Sequence, residues 1–297
     1  MTKKPVCAVL GASGFLGTEA VPVLRGAWEV VPTSMKDRGE GYRQLDIRDP
    51  GALANFLRET RPDAVVALAA YREPDVCEEH PVETRRLNTD PVKVLVHELP
   101  ADVPIVYVST DYVFDGKNPP YKEDAERRPL NEYGKSKVEA EDLVLARPHT
   151  IVLRVPLLMG WTAQFAQSGF FSQLINDLKA TERTELDDVL KRYPVWTRDA
   201  GEAIRTLLEH GNTGIFHFST VRPLTRYRAA LEMAELIGWP TDHLVPSDRV
   251  ILRKATRPDN AHLDMSKWQQ LGYAMPHDFR DVALRFLHHF GVVPPPI

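Results

Sequence analysis

Cysteine, long hydrophobic runs and a strong excess of one charge are all lacking in this sequence. Cys7 and Cys77 are the only two cysteines in 297 residues, which excludes a disulfide framework. This scarcity favours the reducing cytoplasm as the protein's location. No apolar stretch approaches the roughly 18 residues that span a bilayer, and a net charge of -4 offers no basic surface to nucleic acid. We therefore expect a cytoplasmic globular protein whose partners are neither nucleic acids nor membranes.

Metal-ligand patterns are missing as well. The histidines of "EEH" (78–80) and "LHHF" (287–290) have no third ligand at a suitable spacing. His288 and His289 are adjacent, so on a helix their side chains would point in different directions. The sequence therefore predicts no metal site.

Apolar segments and helical patterns alternate along the first 155 residues. Apolar runs predict strands at 6–10, 29–33, 63–70, 104–110 and 150–158. Helical patterns lie between them, at 15–26, 51–60, 84–99 and 132–146. Continuous apolar strands are typical of a sheet buried on both faces, and intervening helices imply parallel crossovers. The predicted fold class is α/β, a Rossmann-type doubly wound parallel sheet.

Two residues refine this pattern. Pro32 weakens the second strand, because proline cannot donate a hydrogen bond to a sheet ladder. Asn131 stands immediately before the fourth helix, in the position of an N-cap.

The alternation of predicted strands and helices becomes less regular beyond residue 158. Helices are predicted near 168–180, 199–210, 224–237 and 278–290, with one strand at 214–219. These elements do not amount to a second complete sheet. We expect a nucleotide-binding domain over 1–158, to which 192–219 returns, and a smaller mixed α/β substrate-binding region over 159–297.

Three glycines follow the first predicted strand. Gly11, Gly14 and Gly17 in "VLGASGFLG" are three residues apart and precede a helix. Glycine lets a backbone turn tightly and approach a pyrophosphate, and the helix N-terminus favours that anion. A glycine triplet alone is a weak signal, but the strand–turn–helix context strengthens it. The segment predicts a dinucleotide-binding turn, with a plain tight turn as the alternative.

The second strand ends without an acidic residue. An acid there usually binds the free ribose 2′-hydroxyl of NAD, whereas this chain has Thr33 and Ser34. Lys36 and Arg38 follow and could pair with the 2′-phosphate of NADP. A solvated basic turn is the alternative, since Asp37 lies between them. The charge pattern favours NADP(H) over NAD(H).

Tyr133 is the only one of nine tyrosines with a lysine four residues later, Lys137. Residues at i and i+4 share one face of a helix. A nearby ammonium lowers the pKa of a phenol, and the hydroxyl of Thr110, from the preceding strand end, could bind the same substrate oxygen. Such a trio could protonate a carbonyl oxygen while a nicotinamide delivers hydride. A chance pairing on an exposed helix is the alternative.

Longer segments carry a family resemblance. "STDYVFDG", "YKED", "PLNEYGKSK", "QLDI" and "ALAAYREPDVCEEHP" closely resemble the dTDP-4-dehydrorhamnose reductase group of extended short-chain dehydrogenases/reductases. The resemblance continues through "LRVPLLMG", "RYPVWTRDAGEAI" and "RPDNAHLDMSK", and so covers nearly the whole chain. The last two segments are most similar to the regulatory β subunit of methionine adenosyltransferase.

The resemblance implies roles for individual residues. Thr110, Tyr133 and Lys137 match the catalytic trio, and Asp111 and Tyr112 match positions that touch the sugar. Ser13 to Leu16 match the phosphate turn, and Asp46 and Ile47 match the pair beside the adenine. Together with the glycine and basic turns, the expected cofactor-binding set is Gly11, Ser13, Gly14, Phe15, Leu16, Gly17, Met35, Lys36, Arg38, Asp46, Ile47, Leu68, Ala69, Ala70, Arg72, Tyr133, Lys137 and Leu158.

Two positions separate the functional hypotheses. The chain reads "LRVPLLMG" where rhamnose-forming reductases typically carry an aromatic residue shortly after the arginine, whereas Thr110 follows the reductases and not the regulatory subunit. The leading hypothesis is an NADP(H)-dependent reductase of a 4-keto group on a nucleotide-activated deoxysugar. The alternatives are a reductase of another small carbonyl compound and a non-catalytic NADP-binding regulatory subunit. A homodimer would suit the enzyme, and a protein partner the regulatory subunit.

Overall fold

The computed structural model describes residues 3–39, 41–163, 165, 168–249 and 253–292. Its strands are β1 (Val6–Leu10), β2 (Glu29–Ser34), β3 (Arg43–Gln44), β4 (Ala64–Ala67), β5 (Ile105–Thr110), β6 (Thr150–Val155), β7 (Leu158–Met159), β8 (Thr184–Asp187), β9 (Val195–Trp196), β10 (Gly214–His217) and β11 (Leu244–Ser247). Its helices are α1 (Gly17–Leu24), α2 (Pro50–Thr60), α3 (Pro74–Glu79), α4 (Pro81–Asn88), α5 (Asp90–Glu98), α6 (Glu132–Leu145), α7 (Phe170–Lys179), α8 (Thr197–Glu209), α9 (Arg226–Ile237), α10 (Ser266–Gln270) and α11 (Phe279–His289).

Seven strands form one sheet in the order β10-β6-β5-β4-β1-β2-β3. Every neighbouring pair is parallel. The chain first builds outward from β1 to β3 and then returns to build β4, β5, β6 and β10 on the other side of β1. The predicted doubly wound Rossmann-type sheet is confirmed, and its order reverses between β1 and β4.

The sheet is buried on both faces, as its continuous apolar strands predict. Alternate residues of β1 contribute to different cores: Cys7 and Val9 to one, Ala8 and Leu10 to the other. The first core lies on the side of α1 and α8, and the second on the side of α2, α5 and α6. Burial also raises the pKa of the Cys7 thiol to about 12, so this cysteine acts as a core residue.

A third core belongs to the region that follows β6. Phe171, Met233 and Phe286 bring α7, α9 and α11 together there. Two small parallel sheets, β8 with β11 and β7 with β9, complete this region. Strand β10 lies beside β6 at the edge of the main sheet, and α8 packs against α1. No helix within the described ranges is both long and apolar enough to cross a bilayer.

The structure differs from the expected elements in several places, and two of them have a clear physical reason. The predicted helix over 84–99 is two helices, α4 and α5, with Thr89 at the break. Pro91 stands in the first turn of α5, where its missing N–H is tolerated, but it disfavours a continuous helix through that point. The predicted strand over 150–158 ends at Val155, and Leu158 pairs instead with Val195 in a separate sheet.

Strand β2 forms despite Pro32. The carbonyl of Thr33 accepts a hydrogen bond from Ala12 N, at 3.0 Å, so Thr33 faces β1. Because backbone groups alternate in direction along a strand, the nitrogen of Pro32 faces the opposite side. Strand β3 begins to pair only at Thr33, so no ladder bond is lost at the proline.

A buried ion pair joins helix α6 to strand β6. Arg154 donates from Nε to Glu141 Oε1 at 2.9 Å and from Nη2 to Oε2 at 2.7 Å. The exposed fractions of the two side chains are 1% and 0%. Arg127 adds a second contact to Glu141 at 3.1 Å, and the Arg154 guanidinium also lies over the Phe114 ring. This network fixes the helix that carries Tyr133 and Lys137 against the sheet.

We expect Glu141→Ala to lower the free energy of unfolding by about 3–5 kcal/mol, because Arg154 would stay buried without its carboxylate partner. Urea denaturation followed by circular dichroism measures this change. The control is Glu59→Ala, which breaks an ion pair with Arg43 whose side chains are 65% and 59% exposed. That pair is worth at most about 1 kcal/mol. Equal losses in the two variants would contradict the role assigned to the buried pair.

Candidate active site

The glycine turn lies where the sheet reverses its order. Gly11 has a positive φ of 80°, and a Cβ placed on it would lie 2.7 Å from Ala69 Cα, at the end of β4. A Cβ on Gly17 would lie 2.5 Å from Ala12 O. Distances below 3 Å leave no room for a side chain, so both positions require glycine. The turn thus brings backbone to the N-terminus of α1 at the crevice between β1 and β4, where α/β sheets bind ligands.

The sequence-predicted residues around this turn lie at the same edge of the sheet. Leu68 N and Ala69 N both donate to Leu10 O, at 3.0 and 3.2 Å, which holds the end of β4 beside the turn. The Arg72 guanidinium lies over the Phe15 ring, 5.2 Å from its centroid. These contacts hold the glycine turn, the end of β4 and the Phe15 ring together, as a pyrophosphate-binding turn would require. Ser13 and Leu16 belong to the same turn, and Ala70 follows directly after Ala69.

The end of β2 lies on the other side of this crevice. The Thr33 hydroxyl donates to Val9 O at 3.2 Å, and Thr33 and Ser34 are both buried. Met35, Lys36 and Arg38 are exposed, and the two cations form no ion pair among the described residues. These three residues are therefore exposed just beyond β2, where the sequence predicts the ribose end of the site.

One residue at this end was missed by the sequence reasoning. Arg48 makes a bidentate ion pair with Asp46, with Nη2 2.7 Å from Oδ2, and its Nη2 also lies 3.3 Å from Met35 Sδ. The hydrogen bond from Arg48 holds the pKa of Asp46 below its usual range. The only sequence signal was "DIR", which is easily mistaken for a solvated charge pair. Ile47 is buried between the two charged residues.

The candidate catalytic trio is assembled at the ends of β5 and α6. Thr110 is the last residue of β5, and Tyr133 lies in the first turn of α6. The predicted N-cap is confirmed, because Asn131 Oδ1 accepts from Gly134 N at 2.9 Å. A Cβ on Gly134 would lie 2.4 Å from Tyr112 O. This close packing brings the Tyr133 ring to 5.7 Å from the Tyr112 ring in an edge-on contact.

The charge state of Tyr133 differs from the expectation that Lys137 lowers its pKa. Burial raises the pKa of Tyr133, and a hydrogen bond with Thr110 only partly offsets that rise. The ammonium of Lys137 is directed elsewhere: its Nζ donates to Val108 O at 2.7 Å and lies 4.0 Å from the centroid of the Tyr107 ring. The phenol is therefore protonated at neutral pH, the form that can donate a proton.

Lys137 is itself strongly affected by burial. Its side chain is only 3% exposed. Burial lowers its pKa to about 7, and the Glu141 carboxylate acts in the opposite direction. A lysine with such a pKa exchanges protons near neutrality, which is an uncommon property for this side chain and typical of functional sites.

A second residue missed by the sequence reasoning supports this helix. Asn88, buried at the end of α4, donates to Ser136 Oγ at 3.0 Å and to Tyr71 O at 3.0 Å. Its Oδ1 accepts from Tyr71 N at 2.8 Å. Every polar group of the amide is thereby used. Asn88 fixes the first turns of α6 relative to the loop that follows β4.

Asp111 and Tyr112, expected to touch a sugar, lie next to Thr110 in a short 3₁₀ turn. The Thr110 hydroxyl donates to Asp111 Oδ1 at 3.1 Å. Burial raises the pKa of Asp111 to about 6, with Arg192 acting in the opposite direction. Burial also raises the pKa of Tyr112. The two side chains, one buried and one partly exposed, form a polar wall directly beside the trio.

Three arginines approach this wall from the later part of the chain. Arg192, Arg257 and Arg253 all act electrostatically on Tyr112. Arg257 is committed to a bidentate pair with Asp75, with Nη2 2.8 Å from Oδ2. Arg192 donates to two backbone carbonyls, and Arg253 has no ion pair among the residues that the structure describes. Arg192 and Arg253 therefore bring positive charge close to Tyr112.

Two clefts lie elsewhere on the described surface, and neither is lined by Thr110, Tyr133 or Lys137. One, of about 710 Å³, lies between α1, α8 and α11, and its lining includes Trp196 and Arg285. The other, of about 720 Å³, lies between the β3–α2 turn and helices α4 and α5, and Ile47 and Arg48 line it. The second cleft therefore opens at the end of the site that holds the Asp46–Arg48 pair.

The sheet is parallel, a glycine turn lies where its strand order reverses, and a helix with the pattern Tyr-x₃-Lys follows β5. This combination is characteristic of one class of proteins. The chain is an oxidoreductase of the extended short-chain dehydrogenase/reductase type. Within that class, the family described as RmlD substrate binding domain matches residues 7–292. The chain belongs to this family, and the resemblance recognised in its motifs is confirmed.

Comparison with individual proteins points in two directions. Methionine adenosyltransferase 2 subunit beta of Bos taurus is 32% identical over 280 residues, which cover 92% of this chain and 84% of that protein. A probable dTDP-4,6-dihydroxy-2-methyloxan-3-one 4-ketoreductase of Streptomyces antibioticus is 31% identical over 283 residues, covering 93% of this chain and 92% of that protein. The structure of a dTDP-4-dehydrorhamnose reductase from Clostridium acetobutylicum matches with a TM-score of 0.85 and 27% identity, over 96% of this chain and 99% of that one.

The burial of Lys137 predicts a pH dependence of stability. Between pH 7 and about 10.5 the unfolded chain keeps the lysine proton, whereas the folded protein, with a pKa of about 7, has lost it. The contribution of this group therefore makes the free energy of unfolding rise with pH across that interval.

Urea denaturation of the wild type and of Lys137→Met at several pH values measures this contribution as the difference between their slopes. We expect a flatter pH dependence in the variant. The control is Lys93→Met, since the Lys93 side chain is 59% exposed, and it should keep the wild-type slope. A Lys137→Met slope equal to that of the wild type would show that the amine stays charged on folding.

Proposed function

We propose that this protein is an NADP(H)-dependent reductase of a 4-keto group on a nucleotide-activated deoxysugar. The observation that carries the proposal is the arrangement of Thr110, Tyr133 and Lys137 at the edge of the sheet to which the glycine turn also belongs. The proposed cofactor residues are those predicted from the sequence, with residues 1–158 and 192–219 forming the cofactor domain and 159–297 the substrate region.

The trio can protonate a carbonyl oxygen. A bound nicotinamide would supply the hydride that reduces the keto carbon. Tyr133, whose raised pKa keeps the phenol protonated, donates the proton to the oxygen of the keto group. The Thr110 hydroxyl, which donates to Asp111 Oδ1 at 3.1 Å, would turn its proton to the same keto oxygen and orient it. Lys137, with a pKa near 7, can carry a positive charge one helical turn beyond Tyr133, where its Nζ donates to Val108 O at 2.7 Å.

The substrate side suits a sugar attached to a diphosphate. Asp111, which is buried, and Tyr112, which is partly exposed, offer polar groups that can bind sugar hydroxyls. Arg192 and Arg253 supply positive charge at the outer part of the same wall. Arginine is well suited to phosphate because its planar donor fork matches phosphate oxygens. We therefore propose that the diphosphate of the nucleotide lies against these two arginines.

A second candidate function is that of a subunit in a protein complex, and it rests on one of the relatives. The similarity to methionine adenosyltransferase 2 subunit beta extends over 92% of this chain. On this reading the protein binds NADP(H) as part of a regulatory scaffold and contacts another protein. The same fold can serve both functions, because function resides in the site and not in the architecture.

Tyr133→Phe is expected to lower turnover by about 10²–10⁴-fold, since the proton donor is lost. The measurement is NADPH consumption with a dTDP-4-keto-6-deoxysugar, together with a fluorescence titration of NADPH, whose affinity should change little. Unchanged turnover in the variant would contradict the role of Tyr133. Wild-type protein that binds NADPH tightly but reduces none of a panel of keto sugars would favour the regulatory subunit, and co-purification would then search for its partner.

Arg253→Gln is expected to raise the KM for the nucleotide sugar about tenfold while kcat stays nearly constant. The reason is that a contact to a remote phosphate stabilises the bound substrate and the transition state equally. Steady-state kinetics separate the two parameters. Arg249→Gln is the matched control, because that side chain is 90% exposed and faces solvent. A fall in kcat without a change in KM would contradict the proposed phosphate contact.

A further inference from the structure

No acidic residue stands at the end of β2 to bind a free ribose 2′-hydroxyl. An arginine from a later part of the chain lies close to this strand end instead. Arg48 belongs to the turn between β3 and α2, thirteen residues beyond Met35 in the chain. Its Nη2 nevertheless lies 3.3 Å from Met35 Sδ, immediately after β2. The fold thus returns a guanidinium to the position where the 2′-substituent of a dinucleotide lies in this type of sheet.

Asp46 holds this guanidinium in a fixed orientation. Arg48 Nε lies 2.9 Å from Asp46 Oδ1 and 3.2 Å from Oδ2, and Nη2 lies 2.7 Å from Oδ2. The backbone N–H of Arg48 donates to the same carboxylate at 3.0 Å. One carboxylate therefore binds both the backbone and the side chain of Arg48. A planar group held in this way loses little further freedom when a ligand binds.

The remaining donors of Arg48 are poorly used. The second N–H of Nη2 faces the thioether of Met35, which is a weak hydrogen-bond acceptor. No partner for Nη1 occurs among the described residues. The Arg48 side chain is 27% exposed, and the Met35 residue 51% exposed. A phosphate at this place would give those N–H groups strong, charge-assisted acceptors in place of the sulfur.

We propose that Arg48 is the residue that binds the 2′-phosphate of NADP(H) and that Asp46 is its positioning residue. This contact, more than Lys36 or Arg38, gives the protein its preference for NADP(H) over NAD(H). The inference rests on the dinucleotide-binding function proposed above and names the basis of its cofactor selectivity.

The same pair disfavours NAD(H). An acid can bind the two ribose hydroxyls of NAD only while its oxygens are free. Asp46 is instead engaged by four hydrogen bonds from one residue. Arg86 adds positive charge to the surroundings of Asp46. The local field therefore favours an anionic substituent on the ribose.

Lys36 and Arg38 differ from Arg48 in one physical respect. Both lie in an exposed turn, and no carboxylate among the described residues orients either side chain. A long side chain that no neighbour orients loses rotamer entropy when it binds a phosphate. This loss reduces its net contribution to the binding free energy. Arg48 has already been ordered by Asp46. We therefore expect the selectivity to depend mainly on Arg48.

The experiment is a set of binding titrations that needs no turnover. Purified wild type, Arg48→Gln and Arg48→Lys are titrated with NADPH, NADH and 2′,5′-ADP, by NADPH fluorescence or calorimetry. Arg43→Gln is the matched control: it removes the same charge from the neighbouring strand, where Arg43 pairs with Glu59 at 2.9 Å. Thermal unfolding of every variant verifies that the fold is retained.

In Arg48→Gln we expect the affinity for NADPH and 2′,5′-ADP to fall about 10–100-fold, the range for a lost charge-assisted hydrogen bond. The affinity for NADH should stay within about twofold of the wild type on the same reasoning. Arg48→Lys should recover part of the loss, since lysine supplies the charge without the fork. Arg43→Gln should behave as the wild type.

Two results would overturn the inference while leaving the cofactor function in place. One is wild-type selectivity for NADPH that Arg48→Gln does not change. The other is an equal loss of NADPH and NADH binding in that variant, which would show a structural role only. Wild-type protein that binds none of the three ligands would instead refute the proposed dinucleotide function itself, and the inference with it.

Discussion

The close approach of the Gly11 turn to the end of β4 is the constraint around which the site is built. There is no room for even a methyl group between the turn and Ala69. This contact is possible because the sheet reverses its order at that point, so that strands β1 and β4 are neighbours whose crossovers leave in opposite directions. The crevice that results receives the N-terminus of α1 and the ends of β4 and β5. All the candidate functional residues on the sheet lie at this one edge because every strand is parallel.

Burial is the main cause of the pKa shifts of the titratable groups in that crevice. Simple proximity of Lys137 and Tyr133 predicts a lowered phenol pKa, yet the structure shows the pKa of Tyr133 raised and that of Lys137 lowered, both mainly by desolvation. Asp111 follows the same rule. A bound ligand would change the surroundings of all three groups at once, because it would displace water and add charges of its own.

Those parts of the fold that depend on local pattern could be predicted from the sequence. The apolar strands, the glycine turn and the Asn131 cap each have a short-range signal, and all three formed as expected. Features set by contacts distant in the chain were not predictable. The Asp46–Arg48 pair acquires meaning only when β3 is placed beside β2, and Asn88 only when α4 meets α6. The break at Thr89 did have a local signal in "TDP", which the helical periodicity of its neighbours obscured.

The position of β10 at the edge of the sheet has a consequence for synthesis of the chain. Strand β6 is complete by Val155, but its outer neighbour is made only when Gly214–His217 emerges, after the elements from β7 to α8. The face of helix α1 that packs against α8 is likewise covered only after α8 has been synthesised. During translation the amino-terminal half therefore exposes an unpaired strand edge and an apolar helix face for some sixty residues of elongation, which is a state prone to aggregation. Long-range pairing of this kind also slows folding.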